Sequence, residues 1–250
     1  MKMSPMEQFA VKPIFHIPVG HYDLAFTNQS LCMCIVVGLA SLFMLVAVAS
    51  PRLVPGRLQS MGEITYEFVA NMIRSAAGED GMRFFPFVFT IFVFVLFSNF
   101  FGLIPGSFTV TSQIAVTLAL ALLVIVTVII TGFAVHGIGF LKLFVPDAPW
   151  YILWLLIPIE FISFLTRPVS LSVRLFANML AGHTMLKVFA SFVIALASAG
   201  GVWFAVSAAP MLLIIAITAL ELLVAALQAY VFAILTCIYL NEALHLHDHH

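Results

Sequence analysis

Charge is what this sequence has least of. Only 8% of its 250 residues are Asp, Glu, Lys or Arg, and the formal net charge is −1. A soluble domain carries about a quarter charged residues, so that class is excluded. The near-zero balance also argues against a nucleic-acid partner. Cysteine is scarce: Cys32, Cys34 and Cys237 sit in or near apolar runs. Two residues apart on a helix, Cys32 and Cys34 point in different directions, and all three read as small apolar side chains. They fix no redox compartment. No phosphate-binding loop and no zinc-ligand spacing occurs, and no cofactor is implied. Met1 to Asp23, with Pro5, Pro13 and Pro18, has no signal-like apolar run before a small-residue cleavage site. It reads as an extended extramembrane arm (1–29).

Apolar residues fill the rest. They make up 63% of the chain, at a mean hydropathy of +1.17. Stretches of the ~20 residues needed to span a bilayer recur along its length. A β-barrel needs alternating strands, and runs such as Phe84 to Phe101 do not alternate. The expected fold is an all-α membrane protein with about five transmembrane helices in one membrane domain, 30–250.

The expected spans are 30–49, 84–104, 113–135, 150–199 and 202–240. Ser50-Pro51 stops the first, Gly102 to Gly106 the second, and Gly200-Gly201 turns the chain before the last. Between the first two spans lie Arg52, Arg57, Arg74 and Arg83, with Glu63, Glu67, Glu79 and Asp80. Met61, Ile64, Phe68, Met72 and Ile73 recur there at helical spacing. That pattern predicts an amphipathic interfacial helix over about 55–77, with a loop as the alternative. The four arginines face an uncharged connector across the second span, so the positive-inside rule puts 52–83 in the cytoplasm. Lys142 and Asp147 then fall in the next cytoplasmic loop. The N-terminus lies outside, and the tail 241–250 is a solvated cytoplasmic one. Its histidines could bind a metal only adventitiously.

Trp150 to Ala199 is too long for one perpendicular crossing. Splitting it near Arg167 to Arg174 would need a break without Gly, Asn or Asp. Pro158 and Pro168 are the only punctuation, and prolines in membrane helices kink more often than they terminate. One bent, tilted helix is expected, antiparallel to the last span.

That helix carries Arg174, a guanidinium that cannot shed its proton. At a bilayer centre it costs roughly 2.5 to 17 kcal/mol, so it persists only near water or a carboxylate. Glu160, Ser163, Arg167, Ser170 and Asn178 fall within about 40° of it around the helix. A stripe of structural hydrogen-bonding groups is the plain alternative to an ion path. His183 and Lys187 lie on roughly the opposite face. Glu221 and Gln228, seven apart, share a face of the last helix. With Gln228 level with Arg174, Glu221 and His183 lie ~10 and ~13 Å nearer the outside. The two could then pair as a proton relay. Glu160 is ~21 Å from Arg174 along the helix, so neither acid is a convenient partner for it. Arg174 is expected to face a carboxylate of another chain. Polar groups on either side of a fixed cation suit two half-paths rather than one continuous wire.

The segment 167–183, RPVSLSVRLFANMLAGH, resembles subunit a of the F-type ATP synthase. Leu227-Gln228-Ala229-Tyr230 and Asn99-Phe100-Phe101-Gly102 extend the resemblance, which covers all but the arm and tail. It implies that Arg174 faces the carboxylate of a rotating c-ring, with Asn178 and Gln228 beside it. It implies that His183 and Glu221 form the outer half-channel, and that Glu160 and Ser163 belong to the inner one, with Ser170 on the same face. Many bacterial members carry the acid on the first of these helices and the His on the second. Here the order is exchanged, as in mitochondrial-like members. Further implications are a bacterial inner membrane location, b-type peripheral stalk subunits as partners, H⁺ as coupling ion and no catalysis by this chain itself. The competing class is a secondary transporter using Arg174 to bind an anionic solute. Against it, the sequence has no internal repeat and no matched pair of broken helices.

Overall fold

The computed structural model describes residues 13–19, 22–49, 52–104, 107–145 and 150–244. The expectations for 1–12, Ser50-Pro51, Pro105-Gly106, Asp147 and the tail histidines lie outside them. Two short strands, β1 (Pro13–Val19) and β2 (Tyr22–Thr27), come first, and every long element after them is a helix. These helices are α1 (Asn28–Val48), α2 (Arg57–Ala77), α3 (Phe85–Gly102), α4 (Ile114–His136), α5 (Trp150–Ala199), α6 (Val202–Val206) and α7 (Ala208–Leu244). The protein is therefore an all-α membrane protein. Among the described residues, five helical stretches are long and apolar enough to cross a bilayer: Asn28–Val48, Asp80–Gly102, Ile114–Leu141, Trp150–Ala199 and Val202–Leu244. Helices suit this setting because every backbone hydrogen bond closes within the segment.

The chain divides into two compact units, whose boundaries cut α1, α3, α5 and α7. The first comprises Met1–Leu42, Phe94–Gln113 and Leu175–Ala229. The arm here is more than extended: β1 and β2 pair antiparallel, with Ile17 opposite Leu24 and Val19 opposite Tyr22. Thr27 Oγ1 accepts from Ser30 N at 3.4 Å where α1 begins. At the end of α3, Gly102 lets Thr109 fold back. A Cβ at Gly102 would lie 2.7 Å from Thr109 Cγ2. Past α5, Gly200 (φ 69°) and Gly201 (φ 57°) reverse the chain in a conformation that side chains oppose.

The expected unbroken last span is modified. A short α6 ends at Val206 and α7 restarts at Ala208. Pro210 has no N–H to donate, and the first turn of a helix is where that loss costs least. Ser207 N still donates to Trp203 O at 3.0 Å, so the interruption is slight.

The second unit comprises Phe43–Val93, Ile114–Arg174 and Tyr230–His250. Val69, Met72, Ile73 and Ala77 of α2 are buried, as are Val88, Ile91 and Phe92 of α3. Of the five apolar positions expected to form the α2 stripe, Met72 and Ile73 are buried, whereas Met61, Ile64 and Phe68 stay exposed. Phe68 nevertheless packs on Phe92 and Tyr230 at ring-centroid distances of 5.7 and 5.8 Å. Gly132 of α4 leaves room for the ring of Phe140 in the following 3-10 turn. The helix α7 runs on to Leu244, so 241–244 are helical rather than tail, and His136 Nε2 lies 3.0 Å from the Leu244 carbonyl oxygen. That contact satisfies a carbonyl the helix end would otherwise leave orphaned.

Candidate functional site

The helix α5 is continuous over 50 residues, with Pro158 and Pro168 inside it. Each proline forfeits one backbone bond, which a helix this long absorbs. Continuity keeps the polar stripe on one element. In the second unit, Ser163, Ser170 and Arg174 are exposed and Glu160 is half-buried. Arg74 pairs with Glu79 and Arg167 with Glu242, and neither ion pair involves Arg174. The stripe is thus not uniform. Arg167 is committed to Glu242, and the rings of Phe164 and Tyr239 lie 5.8 and 5.2 Å from its guanidinium carbon.

In the first unit, the second half of α5 and the first half of α7 run antiparallel. Asn178 Nδ2 donates to Gln228 Oε1 at 3.1 Å. Four residues further along α5, Gly182 lies against Glu221, seven residues back along α7. A Cβ at Gly182 would come within 2.8 Å of Glu221 Cδ, so glycine is what admits the carboxylate there. Gly182 precedes His183, and both His183 and Glu221 are buried. His183 and Glu221 therefore lie at a similar level along the two helices. Glu221 Oε2 has no hydrogen-bond partner among the described residues.

From α3, Asn99 Nδ2 donates to the carbonyl oxygen of Ala225 at 3.1 Å, between Glu221 and Gln228 on α7. Ser98 Oγ, Asn99 Oδ1, Thr111 Oγ1 and Gln228 Nε2 are buried without hydrogen-bond partners among the described residues. Buried polar atoms are rarely left so, and several in one apolar unit call for water molecules as partners.

Sequence reasoning gave no site role to Ser98, Asn99 or Thr111, took Gly182 only as part of a motif, and placed Glu242 in the tail. A Ser-Asn pair inside the otherwise apolar 84–104 run was the available signal for the first two. Nothing local signals Glu242, because its partner is 75 residues away. Among the described residues no group of three or more His, Cys, Asp or Glu is placed to hold a metal ion.

The sequence profile of the ATP synthase A chain family matches residues 30–241. ATP synthase subunit a of Mesorhizobium japonicum is 58% identical over 98% of this chain and 97% of its own length. That of Chelativorans sp. is 57% identical over 98% of this chain and 99% of its own. ATP synthase subunit a 1 of Brucella anthropi is 56% identical over the same shares.

Proposed function

The chain belongs to the ATP synthase subunit a family, a multi-pass bacterial membrane protein, and from that premise we propose that it is the proton-translocating stator subunit of the membrane sector. Its partners are the c-subunit ring, b-type stalk subunits and the lipid bilayer. The N-terminus lies outside and the C-terminus in the cytoplasm, by the positive-inside argument. The chain performs no nucleotide chemistry itself. The observation that carries this reading is Arg174, exposed on α5 with no carboxylate paired to it among the described residues. A permanent cation in an apolar helix needs a counter-charge, and a ring carboxylate arriving from another chain supplies one.

A proton enters from outside by the His183 and Glu221 level. Both groups exchange protons, and the buried Ser98, Asn99 and Thr111 atoms of the first unit offer binding points for connecting waters. The Asn178–Gln228 bond holds the two amides at the next level along α5 and α7. The proton neutralises a ring carboxylate, which then tolerates lipid because its charge is gone. After most of a turn it is released on the side of Glu160 and Ser163, with Ser170 lining the same face, as the carboxylate approaches Arg174. Arg174 stays protonated throughout, so protons cannot cross directly from one half-path to the other.

Glu221→Gln tests this assignment. The amide fills nearly the same space but cannot pass a proton. Proton-driven ATP synthesis in vesicles, which takes protons up on the outer side, is expected to fall at least tenfold while the complex still assembles. Synthesis at the wild-type rate would remove Glu221 from the path.

A further inference from the structure

Arg167 sits seven residues before Arg174, two turns or about 10 Å along α5, and close to the same face. It is equally unable to deprotonate. Left bare, it would offer a passing carboxylate a second cation just before Arg174. Its environment prevents that. Glu242 bridges it, the rings of Phe164 and Tyr239 pack on it, and only 22% of the Arg167 side chain and 28% of the Glu242 side chain remain exposed. Tyr239 and Glu242 stand three apart on α7, a spacing that puts both on one helix face.

We propose that Glu242 is a positioning residue for proton translocation: it neutralises and holds Arg167, leaving Arg174 as the uncompensated cation of the polar stripe among the described residues. This rests on the role given to Arg174 above. The pair does not move protons. It removes a decoy charge from the route of the ring carboxylate. A mechanical clasp between α5 and α7 would use the same contacts, but the two roles respond differently to neutral substitutions. Removing Glu242 alone leaves a half-buried cation unbalanced, whereas removing both charges leaves no decoy.

ATP-driven proton pumping is measured in vesicles holding the assembled complex, with subunit content checked for each variant. Glu242→Gln is expected to lower pumping about tenfold, from the unbalanced charge. Glu242→Asp keeps it within about twofold, because the carboxylate can still pair. The decisive variant is Arg167→Gln/Glu242→Gln, which recovers pumping to within about twofold of wild type on the compensation account. Wild-type pumping in Glu242→Gln, or a double variant as impaired as the single, overturns the proposal. If Glu242→Gln fails to assemble, the exchange Arg167→Glu/Glu242→Arg decides. It keeps the pair neutral and is expected to pump within about threefold of wild type; loss of pumping in the assembled exchange variant also overturns the proposal. Arg174→Ala runs alongside. Coupled pumping in that variant refutes the underlying reading, whatever Glu242 does.

Discussion

A single methyl group at position 182 should separate the stability of this protein from its function. Gly182 lies against the Glu221 side chain, and a Cβ there would stand 2.8 Å from Cδ and 3.0 Å from Cγ. Carbon atoms pack at about 3.5–4.0 Å and Glu221 Oε1 lies nearer still than Cδ, so Gly182→Ala requires the carboxylate to move by on the order of 1 Å or more. The atoms in the way belong to the outer part of a flexible side chain. Relief therefore takes a rotamer adjustment costing about 0.5–1.5 kcal/mol, too little to unfold a membrane domain. The functional cost is larger, because misplacing a reacting group by about 1 Å can cost on the order of a hundredfold. The expectation is an assembled complex with proton-driven ATP synthesis reduced roughly ten- to hundredfold. Combining Gly182→Ala with Glu221→Asp draws the carboxylate back by one methylene and should recover part of the loss. The assay is synthesis in vesicles under an imposed proton gradient, with subunit content checked in parallel. Unchanged synthesis in Gly182→Ala would refute the view that the position of Glu221 matters. An equal loss of assembly and synthesis would make the effect structural.

Two further predictions concern the frame around the site. Asn99→Leu deletes the 3.1 Å bond to the Ala225 carbonyl, a second bond to an oxygen that also serves the α7 ladder, at about 0.5–1.5 kcal/mol. The complex should lose thermal stability in detergent and pump more slowly, while an unaltered melting profile would deny the bond a structural role. Gly201→Ala forces a side chain onto φ 57° and ψ −134°, a strain of order 1–3 kcal/mol. Its effect should appear as reduced assembly rather than altered coupling per assembled complex, and normal assembly would show that the turn can relax.

The helices were legible because hydrophobicity alone decides where a chain can cross lipid. The expected 50-residue helix through Pro158 and Pro168 forms as one element, since neither proline is accompanied by a residue that would start a turn. Gly200 and Gly201 were readable as a reversal for the opposite reason: they supply the backbone freedom the turn uses. Depth along two antiparallel helices could be counted, and it brought Glu221 to the level of His183. Counting could not show whether the two would bond. It also could not find Glu242 as the partner of Arg167, because end-of-chain acids read as tail residues until a helix is seen to continue to Leu244. The strand pairing of the arm was missed because the sequence signals an extended chain there without naming its partner.

The most direct test of the whole account is ATP-driven proton pumping in vesicles holding the assembled complex with Arg174→Ala. The account predicts that pumping is lost while subunit content stays normal, because the one cation separating the two half-paths is gone. Retained, tightly coupled pumping would contradict it and reduce Arg174 to a structural charge.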